Sequence, residues 1–120
     1  GYTVRFVTLD KQNTTTPAKF LHARVKGAAD FLREQCGQSV VMYVDAYDVF
    51  FNMPASTTLH RFKATGARVV WSTERLFNGQ DYYDKRFWDG QAANGQQSVY
   101  NYLNSGGFIG YADTLTRLTA

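Results

Sequence analysis

Apolar residues follow two different periods along this chain, and the switches between them outline its elements. Residues 2–9, reading Tyr-Thr-Val-Arg-Phe-Val-Thr-Leu, alternate and are rich in β-formers, which predicts a strand. A polar loop covers residues 10–17. From 18 to 35, Phe20, Leu21, Val25, Ala28, Phe31 and Leu32 recur at helical spacing, and Gly37 supplies a stop. Val40, Val41, Met42, Tyr43 and Val44 form an unbroken, β-branched run that reads as a buried strand. Ser56 is expected to cap a short helix carrying Leu59 and Phe62 and ending at Gly66. Residues 68–72 and 99–103 read as further strands, with a break at Asn104-Ser105-Gly106-Gly107. Residues 108–111 continue extended, and a last helix starts near Asp113.

Strands alternating with helices predict an α/β domain: a Rossmann-like, mostly parallel sheet flanked by helices, forming a single domain over 1–120. In open sheets of that kind ligands bind beyond the carboxyl ends of the strands. Asp45 and Asp48 stand at one such end and the Ser72-Thr73-Glu74 corner at another. The segment from Glu74 to Gln97 is irregular, with turn signals at Asn78-Gly79 and Asn94-Gly95. It carries Tyr82, Tyr83, Phe87 and Trp88, and loops of that length are commonly functional. Residues 80–97 are expected to close over a bound ligand.

Composition narrows the picture only in places. A chain of 120 residues with 44% hydrophobic and 19% charged side chains suits one globular domain. The net charge of +3 contains no block of one sign, so it offers no argument for nucleic acid or a membrane surface as partner. No apolar run approaches the roughly 18 residues of a transmembrane helix. The single cysteine, Cys36, excludes an internal disulfide framework and reads as a structural or surface thiol. Asn13-Thr14-Thr15 is an N-glycosylation triplet in a polar loop. The chain opens on Gly1 and its last helical pattern stops in mid-course, so it is expected to be an excerpt of a larger protein, incomplete at the C-terminus.

Asp45 and Asp48 raise the main chemical question. Two carboxylates three apart on a strand-to-loop turn can converge on one hard cation, Mn²⁺ or Mg²⁺, that keeps positions open for substrate phosphates. The alternative is a turn in which Asp45 caps backbone amides and Asp48 faces water. Tyr47 offers a face for a nucleobase, or simply packs. Asn104-Ser105-Gly106-Gly107 offers polar groups on a backbone that a ligand can approach closely, or forms an ordinary bulge. Glu74 can bind a sugar hydroxyl or remain a solvated loop residue; Lys26 can reach a phosphate or stay on the surface. His22 and His60 read as polar-face residues of two helices. Neither G-x-G-x-x-G nor G-x-x-x-x-G-K occurs.

Three blocks taken together carry a family resemblance: Val44-Asp45-Ala46-Tyr47-Asp48-Val49; Val69-Val70-Trp71-Ser72-Thr73-Glu74; and Tyr102-Leu103-Asn104-Ser105-Gly106-Gly107-Phe108-Ile109-Gly110-Tyr111-Ala112. In this order and spacing, with Tyr2-Thr3-Val4-Arg5 in front, the chain resembles the glycosyltransferase domain of the procollagen lysyl hydroxylases. That is a GT-A-type domain using UDP-sugars and Mn²⁺. The resemblance implies that Asp45 and Asp48 bind the metal. It implies that Tyr47 contacts the uridine, with Val44 and, approximately, Lys26 at the nucleotide. Glu74 and Asn104 would line the sugar pocket with Ser105, Gly106 and Gly107. No catalytic residue is assigned. Where the family has a tryptophan after the matched glutamate, this chain has Asn78, preceded by Phe77. The family's last metal ligand, a histidine, falls beyond Ala120.

The function expected from this resemblance is metal-dependent transfer of a sugar from a UDP-sugar to a hydroxyl acceptor. The acceptor it suggests is hydroxylysine or galactosyl-hydroxylysine of a collagen-like protein, in the secretory pathway and its endoplasmic reticulum lumen. Further domains of the same parent protein are expected beside it. An alternative is a GT-A-like binding or structural module without transfer activity. A generic metal-dependent phosphotransferase would explain the aspartates but not the Asn104–Gly107 block.

Overall fold

A computed structural model describes residues 1–9, 15–76, 98–100 and 102–120. The aromatic loop expected over 80–97 and the Asn78 position lie outside these residues.

Helix α1 (Pro17–Arg33) begins where Thr16 accepts a hydrogen bond from the Lys19 amide at 3.2 Å, with Pro17 in the first turn, where its missing N–H costs nothing. Strand β1 (Val40–Val44) follows. Helix α2 (Ala55–Ala64) starts two residues earlier than a Ser56 cap implies. Pro54 holds the N-cap position at φ −59° and ψ 149°, and its carbonyl accepts from the Thr57 and Thr58 amides. The proline ring sets the extended entry that a serine cap would otherwise provide. Gly66, at φ 68°, ends the helix in the left-handed region that only glycine adopts freely. Strands β2 (Val69–Glu74) and β3 (Tyr102–Tyr111) and helix α3 (Ala112–Leu118) complete the described elements.

The sheet has the order β1-β3-β2, and β3 runs antiparallel to both neighbours. The mostly parallel sheet expected from the alternation is therefore corrected. β1, α2 and β2 do form a crossover unit whose strands point the same way, but β3 is inserted between them, as in a split βαβ arrangement. Hydrophobic period fixes which face of a strand is buried and carries no information about which strand lies beside it. Residues 2–9 also join no strand. Tyr2 instead stacks on Phe51 with ring centroids 4.5 Å apart and bonds the Thr58 hydroxyl at 2.6 Å, so the segment is anchored on the α2 side of the sheet. Alternation left Val4 and Phe6 without an edge to pair with; they are 57% and 80% exposed.

Register separates the two faces of the sheet. Val41, Tyr43, Phe108, Val69 and Trp71 share one face, where Leu32 of α1 and Ala112 and Leu115 of α3 form the buried cluster. Met42, Ile109 and Tyr111 occupy the other, where Phe62 of α2 tilts against Tyr111 at 5.5 Å. Tyr43 stacks on Phe108 at 5.1 Å and Trp71 stacks on Phe108 at 4.6 Å, an aromatic ladder across all three strands.

Arg68, just before β2, fastens α3 to the sheet. Its Nη2 donates to both carboxylate oxygens of Asp113, at 2.6 and 2.7 Å, and its Nε donates to Thr114 Oγ1. Partial burial pushes the Asp113 carboxyl up, but hydrogen bonds from Thr114 and Arg68 outweigh it and hold it below its ordinary value of 3.8. A depressed carboxyl stabilises the fold above its unfolded value, and the effect is lost as pH falls through the folded value. Asp113→Asn is accordingly expected to shrink the loss of stability below about pH 4, read from urea midpoints across an acid series.

Candidate metal and nucleotide site at the strand ends

Because β1 and β2 point the same way and β3 runs against them, the carboxyl ends of β1 and β2 and the amino half of β3 share one end of the sheet. This brings three separate sequence blocks together. Val44 lies opposite Gly107, and Glu74 lies opposite Tyr102. The Asp45 amide donates to the Gly106 carbonyl at 2.9 Å, extending the β1–β3 ladder by one residue.

Asn104 to Gly107 does not break β3, as expected from sequence, but bulges out of register with β2. Trp71 faces Phe108, whereas Thr73, two residues on, already faces Leu103. Ser72, between them, spans the bulge: its hydroxyl reaches the Gly107 carbonyl at 2.7 Å and the Asn104 carbonyl at 3.1 Å. On the inner side Asn104 Oδ1 accepts from the Gly106 amide at 2.7 Å, a tight side-chain turn. Bulges of this kind re-aim backbone and side chains next to sites.

Gly106 leaves no room for a side chain: a Cβ there would sit 2.7 Å from Asp45 Oδ2 and 2.9 Å from Asn104 Oδ1. Two oxygens, one from the turn after β1 and one from β3, thus close on the same glycine. Asp45 Oδ1 is bound by Arg24 Nη2 at 2.6 Å. Asp48 and Tyr47 stand on the following turn, both exposed; Asp48 makes no hydrogen bond or ion pair among the described residues, and Tyr47 is fully exposed at 104%. Ser105 is exposed as well. An open hollow of about 930 Å³ between β1, α2 and residues 1–7 reaches Val44 and Asp45.

Lys26 is not brought to this end. It pairs with Asp30 on the outer face of α1 and borders a separate hollow with Thr8, Leu9 and His22. Residues two apart on a helix face opposite sides, and Arg24 is the one turned toward Asp45. Arg24 and Ser72 are the polar residues that sequence reasoning passed over. A signal for Arg24 existed: it stands four residues after Phe20 and beside Val25, a charge inside an apolar stripe. His22, His60 and Cys36 are exposed.

The carboxylate oxygens of Asp45 and Asp48 and the nearby Asn104 Oδ1 are of the type that suits a hard divalent cation. Among the described residues no cluster of three His, Cys, Asp or Glu side chains forms, so the two aspartates would need ligands from elsewhere, such as diphosphate oxygens.

These features define an α/β domain with a three-stranded antiparallel sheet, at one end of which Asp45, Glu74 and the Asn104–Gly107 bulge meet. A family model, the PLOD GT domain, matches residues 23–120, and the chain belongs to that family. It is similar to procollagen-lysine,2-oxoglutarate 5-dioxygenase 1 of Rattus norvegicus, 37% identical over 88 residues. The corresponding figures for the Homo sapiens protein are 35% over 83 residues. With Drosophila melanogaster procollagen-lysine,2-oxoglutarate 5-dioxygenase, identity is 31% over 80 residues. These matches cover 68%, 68% and 62% of this chain and 10% of each relative, so the chain spans about a tenth of their length.

Proposed function

We propose that this chain forms the nucleotide-binding part of one glycosyltransferase domain, transferring a sugar from a UDP-sugar to a hydroxyl acceptor with a divalent cation. The observation that carries this reading is the convergence of Asp45, the Asn104–Gly107 bulge and Glu74 at one end of the sheet, in a chain of the PLOD GT domain family. Asp45 and Asp48 would hold Mn²⁺ or Mg²⁺, together with diphosphate oxygens. Bound there, the cation supplies charge stabilisation to the departing diphosphate. Tyr47, exposed beside them, has a free face for the uridine, and Val44 lies at the same strand end. Glu74, Asn104 and Ser105 are assigned to the donor sugar and acceptor hydroxyls. Gly106 and Gly107 carry no side chain that would hold the ligand off the backbone. The acceptor class that fits the relatives' printed names is a lysine-derived hydroxyl of a collagen-like protein, bare or already galactosylated, in the endoplasmic reticulum lumen.

The test is calorimetric titration of the full-length protein with UDP, with and without Mn²⁺, followed by assay of UDP release from UDP-sugars. Mn²⁺-dependent UDP affinity and sugar-dependent UDP release are expected. Affinity without release would favour a binding module, and no affinity would sink the reading. Gly106→Ala is expected to reduce the Mn²⁺-dependent affinity, since its methyl group would displace the Asp45 and Asn104 oxygens. A loss of about 1 kcal/mol in binding, several-fold in affinity, is the expected size. Unchanged affinity would show that these oxygens are not used.

A further inference from the structure

The carboxylate of Asp45 does not stand alone, and its partner has no assigned role. Arg24 donates from Nη2 to Asp45 Oδ1 at 2.6 Å and from Nε to the Tyr43 hydroxyl at 3.2 Å. Its guanidinium lies 5.6 Å from the Phe20 ring and 5.8 Å from the Tyr43 ring. The Arg24 side chain is only 18% exposed, against 45% for Asp45. Tyr43 is itself held in the aromatic ladder through Phe108 to Trp71. The guanidinium is thus held by three contacts to α1 and β1, with Phe20 and twice with Tyr43, and the carboxylate is held by the guanidinium. Asp48, three residues on, has no such anchor.

Resting on the metal-dependent reading above, we propose that Arg24 is a positioning residue for cation binding. It grips Asp45 by Oδ1 and so leaves Oδ2 on the Gly106 side, close to Asn104 Oδ1. One carboxylate oxygen is spent on orientation and the other is presented to the cation. Arginine suits this task because its planar fork makes two directed bonds at once, Nε to Tyr43 and Nη2 to Asp45, which an ammonium cannot reproduce.

Simple electrostatics argues the other way. A guanidinium beside a metal ligand repels the incoming dication, so on charge alone removing Arg24 should tighten metal binding. Orientation and charge therefore predict opposite signs, which makes the proposal decidable.

The experiment compares UDP affinity with and without Mn²⁺ in the full-length protein and in Arg24→Gln, Arg24→Lys and Tyr43→Phe. The readout is the ratio of the two affinities, which a loss of folded protein lowers in neither direction. Arg24→Gln is expected to lower the ratio about tenfold, within the span of coupling between contacting side chains. Arg24→Lys should fail to restore it, because the charge returns without the fork. Tyr43→Phe should lower it by a smaller factor with no change of charge. In an Asp45→Asn background, Arg24→Gln should cost nothing further. A ratio unchanged or raised in Arg24→Gln, or restored in Arg24→Lys, overturns the proposal while leaving the metal-dependent reading intact. A parent protein whose UDP affinity ignores Mn²⁺ overturns both.

Discussion

Asp48→Asn is expected to weaken Mn²⁺-dependent UDP binding at least tenfold while leaving the urea midpoint unmoved, whereas Asp45→Asn should shift both. The difference follows from what each carboxylate touches. Asp48 is exposed and engages nothing among the described residues, so its charge has no structural duty. Asp45 is paired with a mostly buried guanidinium and takes part in the β1–β3 ladder. Neutralising it leaves Arg24 with a weaker acceptor, at a cost of about 1 kcal/mol for so half-exposed a pair. For binding, one unit-charge contact with a dication is worth several kcal/mol at an effective dielectric near ~20, before desolvation is subtracted. A net loss of about 1.4 kcal/mol already makes tenfold. Asp30→Asn is the control: its carboxylate pairs with Lys26 and Arg33 on the outside of α1, and UDP affinity should not respond. Calorimetry beside urea unfolding reads both quantities. Wild-type affinity in Asp45→Asn and Asp48→Asn alike would reduce the aspartates to a turn.

Leu115→Ala should be the most damaging single truncation for stability, by about 2–5 kcal/mol. Leu115 is 1% exposed and meets Leu32, Ala112 and the inner face of the sheet. Its Cγ also lies against the space at Gly110, so the residues around it are already in close approach on the strand side. Deleting three carbons there removes contacts between α1, α3 and β3 together. Leu118, on the same helix but 62% exposed, is the matched control, and Leu118→Ala should stay within about 0.5 kcal/mol. Because total stability of a domain is on the order of 5–15 kcal/mol, a loss of that size will be plain in a urea curve. Equal midpoints for the two variants would mean that this cluster is not the core.

Much of this was legible from residue pattern. The apolar stripe through Leu32 gave α1 to within two residues at its C-terminus and one at its start, and Val40–Val44 gave β1 outright. The aspartates, Glu74 and the Asn104–Gly107 segment were each readable as strand-end features, and the structure gathers Asp45, Glu74 and the bulge at one end. What the pattern could not supply was adjacency. The insertion of β3 between β1 and β2 depends on pairings distant in sequence, from Glu74 with Tyr102 to Val40 with Tyr111, and no local signal records them. The same holds for Arg24, whose partner is 21 residues away on another element. Residues 2–9 show the converse error: a sound alternation, but an anchor at Tyr2 that takes the segment away from the sheet.

The position of β3 has a consequence for how the chain comes to be folded. The strand that joins the sheet is the last of the three to be synthesised, and β1 and β2 both pair with it rather than with each other. As the chain emerges from the ribosome, amino end first, two apolar strands wait with unpaired edges until residue 111 is free. In the final register Ser72 closes the Asn104–Gly107 bulge while the Asp45 amide meets the Gly106 carbonyl. The sheet, and with it the gathering of Asp45, Glu74 and the bulge at one end, therefore forms only once β3 has left the ribosome.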